Sequence, residues 1–101
     1  MIDFVISKHG VQIRLTDERW AHITEEHSEL AGMRFEILET IRNPSYILQG
    51  KEGELLAVSE ITNGKFFVVV YRELVSDGFV ITSFLTRKTK SLFKRKQIWP
   101  T

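Results

Sequence analysis

The side chains best suited to acid–base chemistry lie close together in the first third of the chain. His22, Glu26 and His27 fall within one short segment that opens on Arg19-Trp20 and closes on Glu29-Leu30. A zinc protease would need two histidines four apart, with a glutamate beside the first. Here the spacing is five, which sets the two imidazoles about 140° apart on an α-helix. They cannot share one ion without breaking the helix, so no metal site is expected. His22 has Arg19 before it and Glu25 and Glu26 after it at helical spacing, which makes a polar face. His27 falls on one stripe with Trp20, Ile23 and Leu30, which places it at the rim of a helix–sheet contact.

A second group lies near the end of the chain. In the segment Phe79 to Thr86, alternation puts Val80, Thr82, Phe84 and Thr86 on one side of a strand. Phe79, Ile81, Ser83 and Leu85 take the other. Two hydroxyls among such apolar neighbours could hydrogen-bond a phosphate, although threonine also simply suits strands. Phe67, Val69 and Tyr71 share a face of another strand, and Tyr71 at its end could present its hydroxyl to a site. The sequence holds no P-loop, no dinucleotide-binding glycine pattern and no Gly-x-Ser-x-Gly elbow. Chemistry would then be acid–base work assisted by phosphate-binding cations. Metal-free RNA cleavage needs no more than a base for the 2′-hydroxyl, an acid for the leaving oxygen and cations for the extra charge. No cofactor is expected.

These residues need elements to hold them. Two short apolar segments around Lys8-His9-Gly10 read as a hairpin. Thr16 stands as a helix N-cap, with Asp17 and Glu18 in the first turn. A helix runs from Asp17 to about Glu29, Ala31-Gly32 breaks it, and a second runs from Met33 to Arg42. Asn43-Pro44 ends that one, because the residue before proline avoids helical geometry. The period then becomes extended. Strands are expected at Tyr46–Gln49, Leu55–Ile61, Lys65–Tyr71 and Phe79–Leu85, with Gly50–Gly53 and Asn63-Gly64 as turns. Residues 86–97 read as a short helix or a loop, and Ile98-Trp99 as an added edge pairing. The expectation is an α+β fold: two helices on one face of a four-stranded or larger antiparallel sheet, in a single domain spanning residues 1–101.

Charge divides the chain. Of its 101 residues, the first 85 carry eight Lys/Arg and all 13 Asp/Glu, a net −5. The rest carry Arg87, Lys88, Lys90, Lys94, Arg95 and Lys96 and no acid, a net +6. A basic segment on an acidic body suits an anionic partner, or serves as a solvated tail. Cysteine is absent, which removes disulfides and thiolate metal sites. No apolar run approaches the roughly 20 residues of a membrane span, so a cytoplasmic protein without membrane contact is expected.

Arg19-Trp20-Ala21-His22-Ile23, followed by Glu26-His27-Ser28-Glu29-Leu30, resembles the opening of small bacterial and phage-associated domains. Their pattern is Arg-Trp-x-His-Ile and then Arg-His-Pro-Glu-Leu. Asn43-Pro44, the strand Phe79–Thr86 and Trp99 fit the remainder of that pattern. The group is similar in turn to the barnase, EndoU, colicin-nuclease and RelE-like superfamily, whose members place helices before a four-stranded antiparallel sheet. The resemblance implies a metal-independent endoribonuclease of toxin type acting on RNA, with an antitoxin-like protein partner. It implies His27, His22, Thr82 and Thr86 as catalytic positions. Arg19, Tyr71, Arg72, Arg87 and Lys88 are the expected substrate contacts. Glu26 and Ser28 depart from the pattern's arginine and proline, and a carboxylate beside His27 would bear on its imidazole. The alternative is a non-catalytic module of a mobile element or toxin–antitoxin locus that binds RNA or protein.

Overall fold

Local signals set most element boundaries. The computed structural model describes residues 2–101. The chain forms β1 (Ile2–Ile6), β2 (Gln12–Thr16), α1 (Asp17–Glu26), a 3-10 turn (Ser28–Leu30) and α2 (Arg34–Arg42). It continues as β3 (Tyr46–Gln49), β4 (Leu55–Thr62), β5 (Lys65–Glu73), β6 (Asp77–Thr86), α3 (Thr89–Leu92) and β7 (Gln97–Trp99). Thr16 caps α1 by accepting from the Arg19 amide at 3.0 Å, and the acids of the first turn suit the helix dipole. Gly32, at φ +81, supplies the left-handed residue that separates the helical segments.

The four strands expected after Pro44 are present, and each pairs antiparallel with the next. The sheet is nevertheless larger and mixed. Its order is β1-β2-β6-β5-β4-β3-β7, and β2 runs parallel to β6, with Gln12–Arg14 opposite Asp77–Phe79. This corrects the purely antiparallel expectation. Tight turns dictate antiparallel pairing only between the strands they join. Two helices and three strands separate β2 from β6, enough chain for a parallel return. The two outer edges of the sheet approach each other at one end: the Lys8 ammonium, in the first hairpin turn, lies 4.7 Å from the centre of the Trp99 ring.

Both helices pack on one face. Ile23 from α1, Leu30 from the 3-10 turn, and Ile37 and Ile41 from α2 are fully buried there against Ile13, Leu15, Phe67, Val69, Tyr71 and Val80. Each such aliphatic side chain contributes ~1.5–3 kcal/mol relative to exposure. The opposite face carries a smaller cluster, in which Leu92 of α3 covers Leu48, Leu56, Val58, Phe66 and Val68. The central strand β5 is therefore buried on both faces, as its run of apolar residues indicates.

Strand β6 does not keep one alternation along its length. Tyr71 pairs with Val80 but Val70 pairs with Thr82, so Ile81 is a bulged residue. Val80 thereby joins the helix-side core with Ser83 and Leu85, while Thr82, Phe84 and Thr86 face the other side. The expected grouping of Val80 with the two threonines is corrected for that reason. Beyond Phe79, β2 no longer pairs with β6. The Arg19 guanidinium reaches the Ile81 carbonyl there at 3.3 Å, docking α1 on the bulge.

Candidate nucleic-acid interface

The side of β6 that bears Thr82, Phe84 and Thr86 is also the side that α3 covers. Phe84 and Thr86 line a groove of about 250 Å³ with Lys88, Ser91, Leu92 and Arg95. Two further concavities adjoin it and share Ser91. One adds Lys51 and Lys94, and the other adds Arg87 and Lys90. The short α3 makes this possible: Leu92 points into the sheet as an anchor, and the basic residues on either side of it stay at the surface.

The charges on this face are unspent. Arg14, Arg34 and Arg42 on the body each hold a carboxylate within 3 Å. Among the described residues, none of the six basic side chains from Arg87 to Lys96 forms an ion pair. The Arg87 guanidinium donates to the Asn63 carbonyl at 3.3 Å. The Lys88 amide donates to the Thr86 hydroxyl oxygen at 3.0 Å and leaves the ammonium exposed. One carboxylate stands nearby. Glu54 is held below its ordinary pKa first by the Glu52 amide, then by its own amide, and only weakly by Arg72 and Arg95.

His27 reaches this face from the other layer. The helix stops at Glu26, and His27 is its C-cap, at φ −132 and ψ 73. Its side chain thus leaves the helical stripe, although its neighbours Ile23 and Leu30 are buried as expected. The imidazole is about one-third exposed. It lies 6.4 Å, centre to centre, from the Phe84 ring, tilted by 38°. Its nearest carboxylate is Glu29, with Nδ1 to Oε2 at 3.6 Å. Glu26 lies against His22, with its carboxylate 2.6 Å from Nε2.

The remaining expected residues are dispersed. His22 lies with Thr16, Glu18 and Arg19 around a separate concavity at the start of α1. Arg72 donates to the Glu52 carbonyl at 3.1 Å. Tyr71 does not present its hydroxyl to a site. It is fully buried in the helix-side core, where the hydroxyl finds no hydrogen-bond partner among the described residues. Burial, and secondarily the charge of Glu73, push its ionisation well above the usual range. Sequence reasoning singled out Lys88 and the basic segment but not Ser91, which becomes central only once α3 packs on the sheet.

A second polar cluster was not legible in the sequence. The Ser7 hydroxyl donates to Glu73, whose other oxygen lies 2.8 Å from His9 Nδ1. The carboxylate sits between hydroxyl and imidazole, so the three form no nucleophile–base pair. They tie the first hairpin to the end of β5. Comparison with family models, with curated proteins and with solved structures gives no match to this chain.

Proposed function

We propose that this protein is an RNA-directed endoribonuclease-type domain whose basic face holds the phosphate backbone. The observation that carries the reading is that His27 lies 6.4 Å from the ring of Phe84, which also lines the groove of Thr86, Lys88 and Arg95. Unpaired cations around a concavity suit a polyanion, and an imidazole at the rim suits proton transfer. In the proposed step His27 takes the proton of a ribose 2′-hydroxyl. The freed oxygen attacks the adjacent phosphorus, and the 5′-oxygen leaves with a proton from the Lys88 ammonium. A 2′,3′-cyclic phosphate results. Arg95, on the same groove, offsets the charge that develops on the phosphoryl oxygens. Regulation by an antitoxin-like protein partner belongs to the same reading.

The alternative, a non-catalytic RNA-binding module, draws on one observation. His22 is tied to Glu26 beside a separate concavity, so the expected pair of imidazoles does not converge. Incubation of purified protein with labelled single-stranded RNA in a metal chelator tests the choice. Cleavage is expected to yield cyclic-phosphate ends, and His27→Ala to reduce it by ~10²–10⁴. Binding without cleavage selects the module. No affinity at low salt would remove both readings.

A further inference from the structure

We propose that β1 is the seam of a homodimer, formed when the outer edges of two copies pair antiparallel about Phe4 and join their sheets. Among the described residues β1 ends the sheet and pairs only with β2. Its main chain is therefore half used. The Ser7 amide donates to the Val11 carbonyl at 2.8 Å, and the register of β1 with β2 continues from that pair. Alternation then turns the N–H and C=O groups of Val5 and Asp3 toward β2, and those of Ile2, Phe4 and Ile6 toward the open edge. Sheet edges are commonly guarded by proline, lysine, a bulge or a covering element. β1 holds neither proline nor lysine, and its register with β2 runs without a bulge. Its one charge, Asp3, is held by Arg34 Nε at 2.6 Å. The contact that crosses to the far edge, Lys8 over Trp99, lies beyond the end of the strand.

The residue order of β1 fits a second copy of the same strand. Ile2-Asp3-Phe4-Val5-Ile6 shows the same alternate apolar positions read in either direction. A two-fold axis at Phe4 sets Phe4 against its counterpart and each Ile2 against the other copy's Ile6. These are the residues whose main-chain groups are free, so each facing pair exchanges both hydrogen bonds. An axis at Asp3 or Val5 would pair two of the three and leave the third open. Side chains follow the same register. Val5 points into the helix-side core, so Ile2, Phe4 and Ile6 share the opposite face. They are 50%, 54% and 53% exposed. Phe35 of α2, 67% exposed, lines a concavity of about 160 Å³ at this edge with Phe4 and Leu38. At ~200 Å² per large apolar side chain, these four leave roughly 450 Å² uncovered in each copy. A pair covers about 900 Å² besides its main chain, toward the lower end of specific interfaces. Charge does not oppose it, because Arg42 on the same concavity already holds Glu39 at 2.6 Å. No residue of the basic grooves lies on β1 or α2, so the seam leaves them open.

Sedimentation velocity of the full chain over a range of concentrations is expected to show monomer passing to dimer, with a Kd of about 1–100 µM for an interface of this size. Phe4→Lys sets two like charges face to face at the axis and should weaken the dimer roughly 10-fold or more. Val75→Lys, at a fully exposed apolar residue in the turn after β5, should leave it unchanged. The chain has no cysteine, so single cysteines report the register. Under mild oxidation Phe4→Cys should cross-link to itself, because facing Cα atoms stand about 5.5 Å apart, within disulfide reach. Ile2→Cys should not, since its own counterpart lies about 14 Å along the partner strand. Mixed with Ile6→Cys, it should cross-link to that variant. Melting curves verify folding, and the cysteine set decides the matter if Phe4→Lys does not fold. A monomer at every concentration overturns the seam and leaves the edge to a foreign strand. A dimer indifferent to Phe4→Lys, or one in which Ile2→Cys cross-links to itself as fast as Phe4→Cys, overturns it too.

Discussion

Removing the hydroxyl of Tyr71 should stabilise this protein at neutral pH, and the gain should grow in alkali. The hydroxyl is fully buried without a hydrogen-bond partner among the described residues. An unsatisfied buried polar group costs about 1–3 kcal/mol. Tyr71→Phe removes that penalty and leaves a space near the size of a methyl group, worth about 1 kcal/mol the other way. The net expectation is a gain of about 0–2 kcal/mol at pH 7. For a domain of this size, 1 kcal/mol moves the melting temperature by about 4–8 °C. The pH dependence has a definite sign. In the unfolded chain a tyrosine ionises near pH 10, whereas burial and the charge of Glu73 hold the folded group protonated beyond that. Above pH ~10 the unfolded state therefore binds fewer protons than the folded one, and stability falls as pH rises. The contribution of Tyr71 is fully present below pH ~10 and is lost with a slope of up to about 1.4 kcal/mol per pH unit above it. Other groups also titrate there, so the informative quantity is the difference between the natural protein and Tyr71→Phe. Urea melts followed by circular dichroism at pH 7, 9 and about 10.5 measure it. A variant that is over 1 kcal/mol less stable at pH 7 would show that the hydroxyl is hydrogen-bonded. A difference that stays flat into alkali would refute the argument from burial.

Two other substitutions test how the fold holds its site. A Cβ at Gly78 would lie 2.1 Å from the Arg72 carbonyl oxygen of β5 and 2.7 Å from the Ile13 side chain of β2, so Gly78→Ala should destabilise by about 3 kcal/mol in a chemical melt; a loss below 1 kcal/mol would contradict the close approach of β5 and β2 to β6 at this residue. Thr16→Ala should lower stability by about 1 kcal/mol through the lost cap, and Thr16→Ser should restore most of it; equal stability of all three proteins would mean that the contact to the Arg19 amide contributes nothing.

Residue types suited to acid–base chemistry are legible in the sequence, but which of them lie together is not. Periodicity along a single element carried reliable information. The Thr16 cap, the buried row of Ile37 and Ile41, the double-sided burial of β5 and the antiparallel run from β3 to β6 all follow from patterns a few residues long. The same holds for the edge pairing of Ile98-Trp99. These depend on spacing, turn chemistry and short-range sterics, which the chain itself encodes. Its division into an acidic body and a basic end was equally plain.

Tertiary structure decided what no local pattern contains. The parallel pairing of β2 with β6 joins residues far apart in the chain, and no turn signal specifies it. The bulge at Ile81 arises from how β6 pairs with β5, and it moves Val80 to one side of the sheet and Thr82 to the other, which strict alternation could not foresee. Helix α1 ends one residue before His27, so the imidazole leaves the apolar stripe and swings toward Phe84 instead of packing beneath the helix. Tyr71 looked available at a strand end, yet β5 runs on to Glu73 and the helix-side core buries the whole side chain. Side-chain types and charge are properties of the chain alone, whereas which of them share a groove depends on strand register and helix ends, set by packing between distant segments.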